Sequence, residues 1–350
     1  MNAVLSRVRA LPRWESALVL VLVAELAFFG AMNPRFIDPD RLLFAMSDFV
    51  YLGIVALPLA VVMMTGGIDI SFGSVASLAA IVTGVTFQTG LNIWLAVLVG
   101  LLAAALAGVV NGSAILITGA QPMVITLGSQ FLFAGLALGA SGLGGVSSFE
   151  GISGLPESFL ELAGGETLGL PNMLVIFAVL AVAAAVLLGR TAFGRQARLI
   201  GANPQAARYA GFRSQQVLVS TYLLTALAAG LVGVLLTSYV GSARADIGAG
   251  LLMPTLTLVV IGGVSMYGGE GSIGGVVIAT FVIGFLQQGL RFMGLSENQV
   301  AVATGAALVL VASLRWWTGH LSESWKNRRA RRIGDGAARP ATEGVPASAP

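Results

Sequence analysis

The chain has no cysteine, one histidine and one lysine, and only 10% of its 350 residues are charged. Each scarcity excludes some chemistry. Without cysteine there is no disulfide framework, no zinc–thiolate site and no thiol nucleophile. The lone His320 has no partner at metal-ligand spacing, so no metal is expected. The only lysine is Lys326, and no G-x-x-x-x-G-K-[ST] loop exists, so the chain has no Walker-type ATPase site of its own. No carboxylate cluster suggests a metal-dependent transferase. A soluble domain would carry roughly 25% charged residues. Apolar residues make up 56% of this chain, and its arginines flank apolar runs instead of forming a basic domain. Nucleic acid is therefore not an expected partner, and the lipid bilayer is.

The composition predicts an all-α fold, a polytopic transmembrane helical bundle. We count about ten spans, roughly 16–32, 49–65, 71–87, 93–117, 122–140, 172–189, 215–239, 251–266, 273–292 and 298–314. Several are short for a bilayer core of about 30 Å, which predicts thin, broken or partly interfacial helices. The first apolar stretch is long for a signal peptide and no small-x-small cleavage site follows it, so it reads as a retained span.

Orientation follows from Lys and Arg. With both termini inside, the inner segments hold fifteen of the 19 basic residues, and the outer ones hold Arg35, Arg41, Arg244 and Arg291. Trp14, Trp94, Trp316 and Trp317 fall at expected span ends, as an aromatic belt requires. Residues 1–15 read as a cytoplasmic arm and 16–314 as the membrane domain. Residues 315–350 read as a basic tail too poor in apolar residues to fold.

The most informative stretch is GGIDISFGS, between two spans. It places Gly66, Gly67, Asp69, Ser71 and Gly73 where two membrane helices meet. An Asp costs about 2.5–3.5 kcal/mol at a membrane helix centre, so Asp69 must lie near an interface, be paired, or line a polar cavity. A plainer reading is a tight turn in which Asp69 or Ser71 caps the next helix, and the two are compatible. MTGGIDISFGSV from Met64 has an echo in MYGGEGSIGGVV from Met266. That second motif carries Gly268, Gly269, Gly271 and Gly274. Either a parallel duplication or chance similarity among 46 glycines accounts for it.

The second informative stretch is GRQARLIGANPQAARYAGFR, Gly194 to Arg213. Asn203 suits an N-cap, Pro204 the first helical position, and Gly211 the left-handed residue that ends a helix. A rigid helix of about two turns is expected across the inner face. It is either a docking element, using Gly194, Arg195, Gly201, Ala207 and Arg208 around it, or merely interfacial. Polar residues inside other spans, Glu25, Asn111, Gln130, Thr221, Gln287 and Gln288, should face protein or a cavity. Helix–helix hydrogen bonds worth about 0.6 kcal/mol each would suffice. Glu25, Asn111, Gln130 and Gln287 are also candidates for a polyol pathway.

These residues resemble a family. GGIDISFGS after a Pro-containing span, GANPQAARYAGF and YGGEGSIGG resemble the motifs of permease subunits of bacterial ABC sugar importers, the ribose, xylose and arabinose branch. The resemblance covers about residues 40–315. Longer stretches such as MSDFVYLGIVALPLAVVMMTGGIDISFGS and FLQQGL are similar to the autoinducer-2 importers within that branch. The resemblance implies an inner-membrane transport subunit that is not itself an enzyme and binds no cofactor. It implies a second permease, an ABC ATPase subunit that holds ATP and Mg, and a periplasmic substrate-binding protein. It makes 194–213 the loop that contacts the ATPase, GGIDISFGS the gate or transport motif, and YGGEGSIGG the family's second glycine motif. The cargo it implies is autoinducer-2, with a pentose or deoxyhexose sugar as the alternative. A proton-coupled secondary transporter using Glu25 or Asp69 is the rival of another class.

Overall fold

A computed structural model describes residues 13–144, 150–307, 309, 310 and 313. The expected tail 315–350, with Lys326 and His320, lies outside the described residues, as do residues 1–12 of the expected arm. Met1–Gly305 is one contact unit and Ala306–Pro350 another, and the description below concerns the first.

The described residues are mostly helical. The helices are α1 (Arg13–Met32), α2 (Pro39–Ala45), α3 (Val50–Met64), α4 (Phe72–Gln88), α5 (Ile93–Thr118), α6 (Pro122–Leu143) and α7 (Glu157–Gly164). After them come α8 (Asn172–Arg190), α9 (Ala192–Ala202), α10 (Pro204–Tyr209), α11 (Ser214–Val240), α12 (Leu252–Ile261) and α13 (Ile273–Phe292). A further helix, α14, covers 297–307. A two-residue ribbon, β1 (Glu166–Thr167) and β2 (Leu170–Pro171), precedes α8.

Six of these helices are long and apolar enough to cross a membrane: α1, α5, α6, α8, α11 and α13. A seventh candidate joins α3 to the segment Pro39–Asp48 across a 52° bend. Helices α4 and α12 are apolar but shorter.

Helix α3 lies at the centre. All its residues except Tyr51 and Pro58 are buried, and it packs against α8, α11, α12 and α13. A helix that is apolar all round belongs inside a bundle. Around it, small residues let backbones approach. A Cβ on Gly108 of α5 would sit 2.6 Å from the Ala226 Cβ of α11, and one on Gly112 would sit 2.9 Å from Val219 Cα. In a bilayer, where apolar surface alone drives little association, such close packing holds helices together.

At the other end of α11 from Tyr222 lies α7. Ser238 of α11 donates to the Phe159 carbonyl at 2.6 Å and accepts from the Ala163 N–H at 3.0 Å. Ile152 and Ala243 form a backbone bridge. Beyond α11, Arg244 donates to both Asp246 carboxylate oxygens, at 2.9 and 2.8 Å. These bonds hold the Asp246 carboxyl below its ordinary range.

Candidate functional site

Helix α3 ends in a Schellman turn. Gly66 has a left-handed φ of +84° and donates to the Met63 carbonyl, while Gly67 donates to that of Val62 at 3.2 Å. Only glycine takes the first position without strain. The chain then runs without helix or strand to Ser71, the N-cap of α4.

Asp69 is buried in this break, at 1% exposure. One carboxylate oxygen accepts the Ser71 N–H at 2.9 Å and the Ser71 hydroxyl at 2.7 Å. This is an Asx turn and not the expected helix cap. Ser71 occupies the N-cap position but makes no side-chain cap bond. Its backbone is already helical, at φ −82° and ψ −13°, so its hydroxyl turns back to Asp69 instead of forward. Asn111 of α5 donates to the same hydroxyl at 2.8 Å, and Thr126 of α6 donates to the Ile68 carbonyl at 3.1 Å. The break is thus tied to α5 and α6. The Asn111 Oδ1 and the hydroxyl of Tyr222, both fully buried, have no hydrogen-bond partner among the described residues. The Tyr222 hydroxyl stands over Gly67, where a Cβ would collide with it. Gly73, the second residue of α4, faces Gly248, whose carbonyl would lie 2.6 Å from a Cβ there.

Helix α12 ends in the same way. Gly263, at φ +92°, donates to the Val260 carbonyl at 3.1 Å, and Val264 to that of Val259 at 3.2 Å. Ser272 then occupies the N-cap of α13 and accepts from Gly275 N at 3.3 Å. Equivalent helix ends therefore pair Gly66 with Gly263, and Ser71 with Ser272. The sequence echo had matched Gly66 and Gly67 to Gly268 and Gly269. Those two lie instead in the extra length of the second loop, both with positive φ.

That extra length reaches back to the first motif. Gly269 donates its N–H to the Met64 carbonyl at 2.8 Å, and Gly271 lies against the Met64 side chain. Gly201, near the end of α9, lies against the same carbonyl, and a Cβ on Gly268 would fall 2.9 Å from Gly201 Cα. The two glycine motifs and the 194–213 segment, read separately in the sequence, converge on the last residue of α3.

The 194–213 segment is two helices, not one. Thr191 caps α9 through Gly194 N at 3.4 Å, and Gly194 packs directly on the Leu188 backbone. Arg195 on α9 is exposed. Asn203 interrupts the helix and caps α10, accepting from Ala206 N at 2.9 Å, with Pro204 at the first position. Ala207 is buried, and Gly211, at φ +74°, closes α10 by a third Schellman turn. Tyr209 is 92% exposed and Gln205, one turn earlier, is exposed beside it.

The other polar candidates stand apart from this junction. Gln287 donates to Thr304 at 3.2 Å, which joins α13 to α14. Gln288 donates to Asp48 at 3.5 Å. Thr221 donates to its own helix, to the Leu218 carbonyl. Gln130 is half-buried on α6. Glu25 is half-buried on α1, with one carboxylate oxygen buried and unpartnered among the described residues. Among the described residues no group of three metal-ligating side chains exists.

Two residues complete the junction: Trp14, which the sequence read only as part of an aromatic belt, and Glu15, which it did not single out. Glu15, 6% exposed on the first turn of α1, accepts from the Ser272 hydroxyl, and Gly274 packs on its carboxylate. Trp14 donates its indole N–H to the Ile261 carbonyl at 2.8 Å, with its ring against Gly263. A tryptophan and a carboxylate side by side at a span end were the signal available.

Residues 41–312 match the family described as "Branched-chain amino acid transport system / permease component". The chain is a member of this permease family. The permease is similar to the "Autoinducer 2 import system permease protein LsrD" of Escherichia coli K12 and of Shigella flexneri. Each is 46% identical over 319 residues, which cover 91% of this chain and 97% of the relative. No solved structure matches the permease. The matched region contains α3 to α13, and so every helix that meets at Met64.

Proposed function

We propose that the permease is a membrane subunit of an ATP-driven importer that carries autoinducer-2 inward. The observation that carries this reading is the 46% identity to LsrD, sustained over nearly the whole length of both chains. The family's description names branched-chain amino acids. A family description covers many members, whereas a full-length relative speaks for one cargo, so we follow the relative. A pentose or deoxyhexose sugar is the second cargo, favoured by the resemblance of GGIDISFGS to the sugar branch.

In this reading the chain spans the inner membrane about ten times. Helices α3, α4, α12 and α14 supply the spans beyond the six long ones, and both termini are cytoplasmic. The chain works with a second permease, an ABC ATPase and a periplasmic binding protein. It binds no cofactor, because ATP and Mg stay on the ATPase. Helix α10 is the docking element, presenting Gln205 and Tyr209. The break at Gly66–Gly73 and the second motif at Gly268–Gly274 form the inner gate. Their shared hydrogen bond at Met64, and the packing of Gly201 on it, support a direct route from docking helix to gate.

The test is uptake by cells expressing the full chain with those partners. Autoinducer-2 import should survive a protonophore and stop on ATP depletion. Uptake of a pentose but not autoinducer-2 would replace the cargo. Collapse with the protonophore would replace the energy source.

A further inference from the structure

A cavity of about 590 Å³ lies where α5 ends, α10 turns and α11 begins. Its size falls in the range of about 300–1,000 Å³ usual for small-molecule sites. Its walls divide by chemistry. Ile115 in the last turn of α5 and Leu218 near the start of α11, both membrane-crossing helices, give it apolar walls, with Phe212. Arg208 and Arg213 also line it, with the polar Gln215 and Gln216, and no carboxylate does. The ion pairs among the described residues use Arg244 and Arg291, not these two arginines. The Ser214 hydroxyl, also in the lining, is buried and unpartnered among the described residues.

We propose that this cavity binds the phosphate headgroup of an anionic phospholipid. Two unpaired guanidiniums match a phosphate in charge and in fork geometry. The apolar walls lie at the ends of spans, where the first acyl carbons of a lipid would run. A soluble anion would use the arginines and leave those walls uncovered. A partner protein would meet the outward face of α10 at Gln205 and Tyr209, one step round the helix from Pro204 and Arg208, which line the cavity. The inference is independent of the cargo and of the import reaction.

The test titrates the full-length protein in zwitterionic micelles with phosphatidylglycerol, phosphatidylcholine or inorganic phosphate. Thermal melting and native mass spectrometry read the binding. Phosphatidylglycerol should raise the melting temperature and stay bound, and the other two should do neither. Arg208→Gln with Arg213→Gln should weaken phosphatidylglycerol binding about thirtyfold, about fivefold for each arginine near an anionic surface. The charge-matched pair Arg190→Gln and Arg198→Gln lies outside the cavity and should leave affinity within about twofold, because charge-assisted bonds to a phosphate need direct contact. Should the double variant melt early without lipid, Arg213→Gln alone takes its place, with a fivefold loss expected. Equal stabilisation by phosphatidylcholine, stabilisation by inorganic phosphate alone, or unchanged phosphatidylglycerol affinity in the cavity variants would overturn the proposal. So would variants that keep the lipid and lose only the ATPase, which would assign the arginines to a protein partner.

Discussion

The backbone N–H of Gly269 donates to the carbonyl of Met64 at 2.8 Å, joining the two glycine motifs at the end of α3. Gly201 of α9 packs on that carbonyl from another side. A movement of α9 must therefore push on both motifs at once, because backbone meets backbone with no side chain between to absorb it.

Gly201 gives the first prediction. Alanine in a helix interior normally gains about 1 kcal/mol over glycine. Here its Cβ would collide with the Met64 carbonyl and lie 2.6 Å from Gly269 N, so overpacking of about 1–3 kcal/mol should win. Gly201→Ala should lower the melting temperature in detergent, and Gly201→Val should lower it further. Gly189→Ala, where nothing lies within 4 Å of the added Cβ, should hold or raise it. Equal behaviour of Gly201→Ala and Gly189→Ala would remove the tight junction.

Asp69 gives the second. Asn forms the same Asx turn without the charge. Asp69→Asn should therefore keep the bonds to the Ser71 N–H and hydroxyl and melt close to wild type. Asp69→Ala strands both donors and, through Ser71, loosens Asn111, which should cost about 1–3 kcal/mol. A buried charge is a costly way to make a turn that Asn makes equally well. Autoinducer-2 uptake should accordingly fall in Asp69→Asn although the fold holds. Near-normal uptake by that variant would reduce Asp69 to a turn residue.

Helix α10 gives the third. Gly211→Val places a β-branched residue at φ +74°, a conformation such residues rarely take. Ala207→Pro removes the N–H that reaches the Asn203 carbonyl at 3.1 Å, at a local cost of about 3 kcal/mol. Both should abolish substrate-stimulated ATP hydrolysis in the reconstituted complex while the membrane helices keep their circular dichroism. Unchanged stimulation would remove the docking role.

Topology gives the fourth, and the native chain has no cysteine to interfere. Ser158 and Tyr209 are both exposed. In intact spheroplasts, an impermeant thiol reagent should label Ser158→Cys and spare Tyr209→Cys, and permeabilisation should expose the second. The reverse pattern would invert the orientation.

What the sequence made legible is what depends on local chemistry. Asn203, Pro204 and Gly211 announce α10, because capping and left-handed turns are settled within a few residues. The same holds for Gly66 at the end of α3. Helix α9 was not legible, because its two glycines carry no helix-forming signal. Gly194 and Gly201 are there for packing on Leu188 and Met64, contacts with residues far along the chain or on another helix. Asp69 looked like a cap because carboxylates before helices usually are. The backbone of Ser71 had already turned helical, and that cannot be read from residue types. Gln287 read as a helix–helix hydrogen-bonding residue or a pathway residue, and its bond to Thr304 of α14 is of the first kind, although hydropathy alone could not name the partner.

The clamp at the start of α1 gives the fifth prediction. Trp14 holds the end of α12 through Ile261, and Glu15 holds the start of α13 through Ser272, so two adjacent residues fix both ends of the loop that carries Gly268 and Gly269. Trp14→Phe keeps a ring against Gly263 and loses the bond to the Ile261 carbonyl. Glu15→Ala frees the Ser272 hydroxyl while its cap on Gly275 remains possible. Each should cost about 1–3 kcal/mol, the penalty for a buried group left unmatched. If the pair works as one clamp, releasing either end already frees the loop, so the double variant should cost clearly less than the sum of the singles, by at least about 0.5 kcal/mol. Uptake should fall in each single variant, because the loop that bonds to Met64 is no longer held, although GGIDISFGS itself is untouched. Additive costs with normal uptake would show two independent packing contacts and no clamp on the gate.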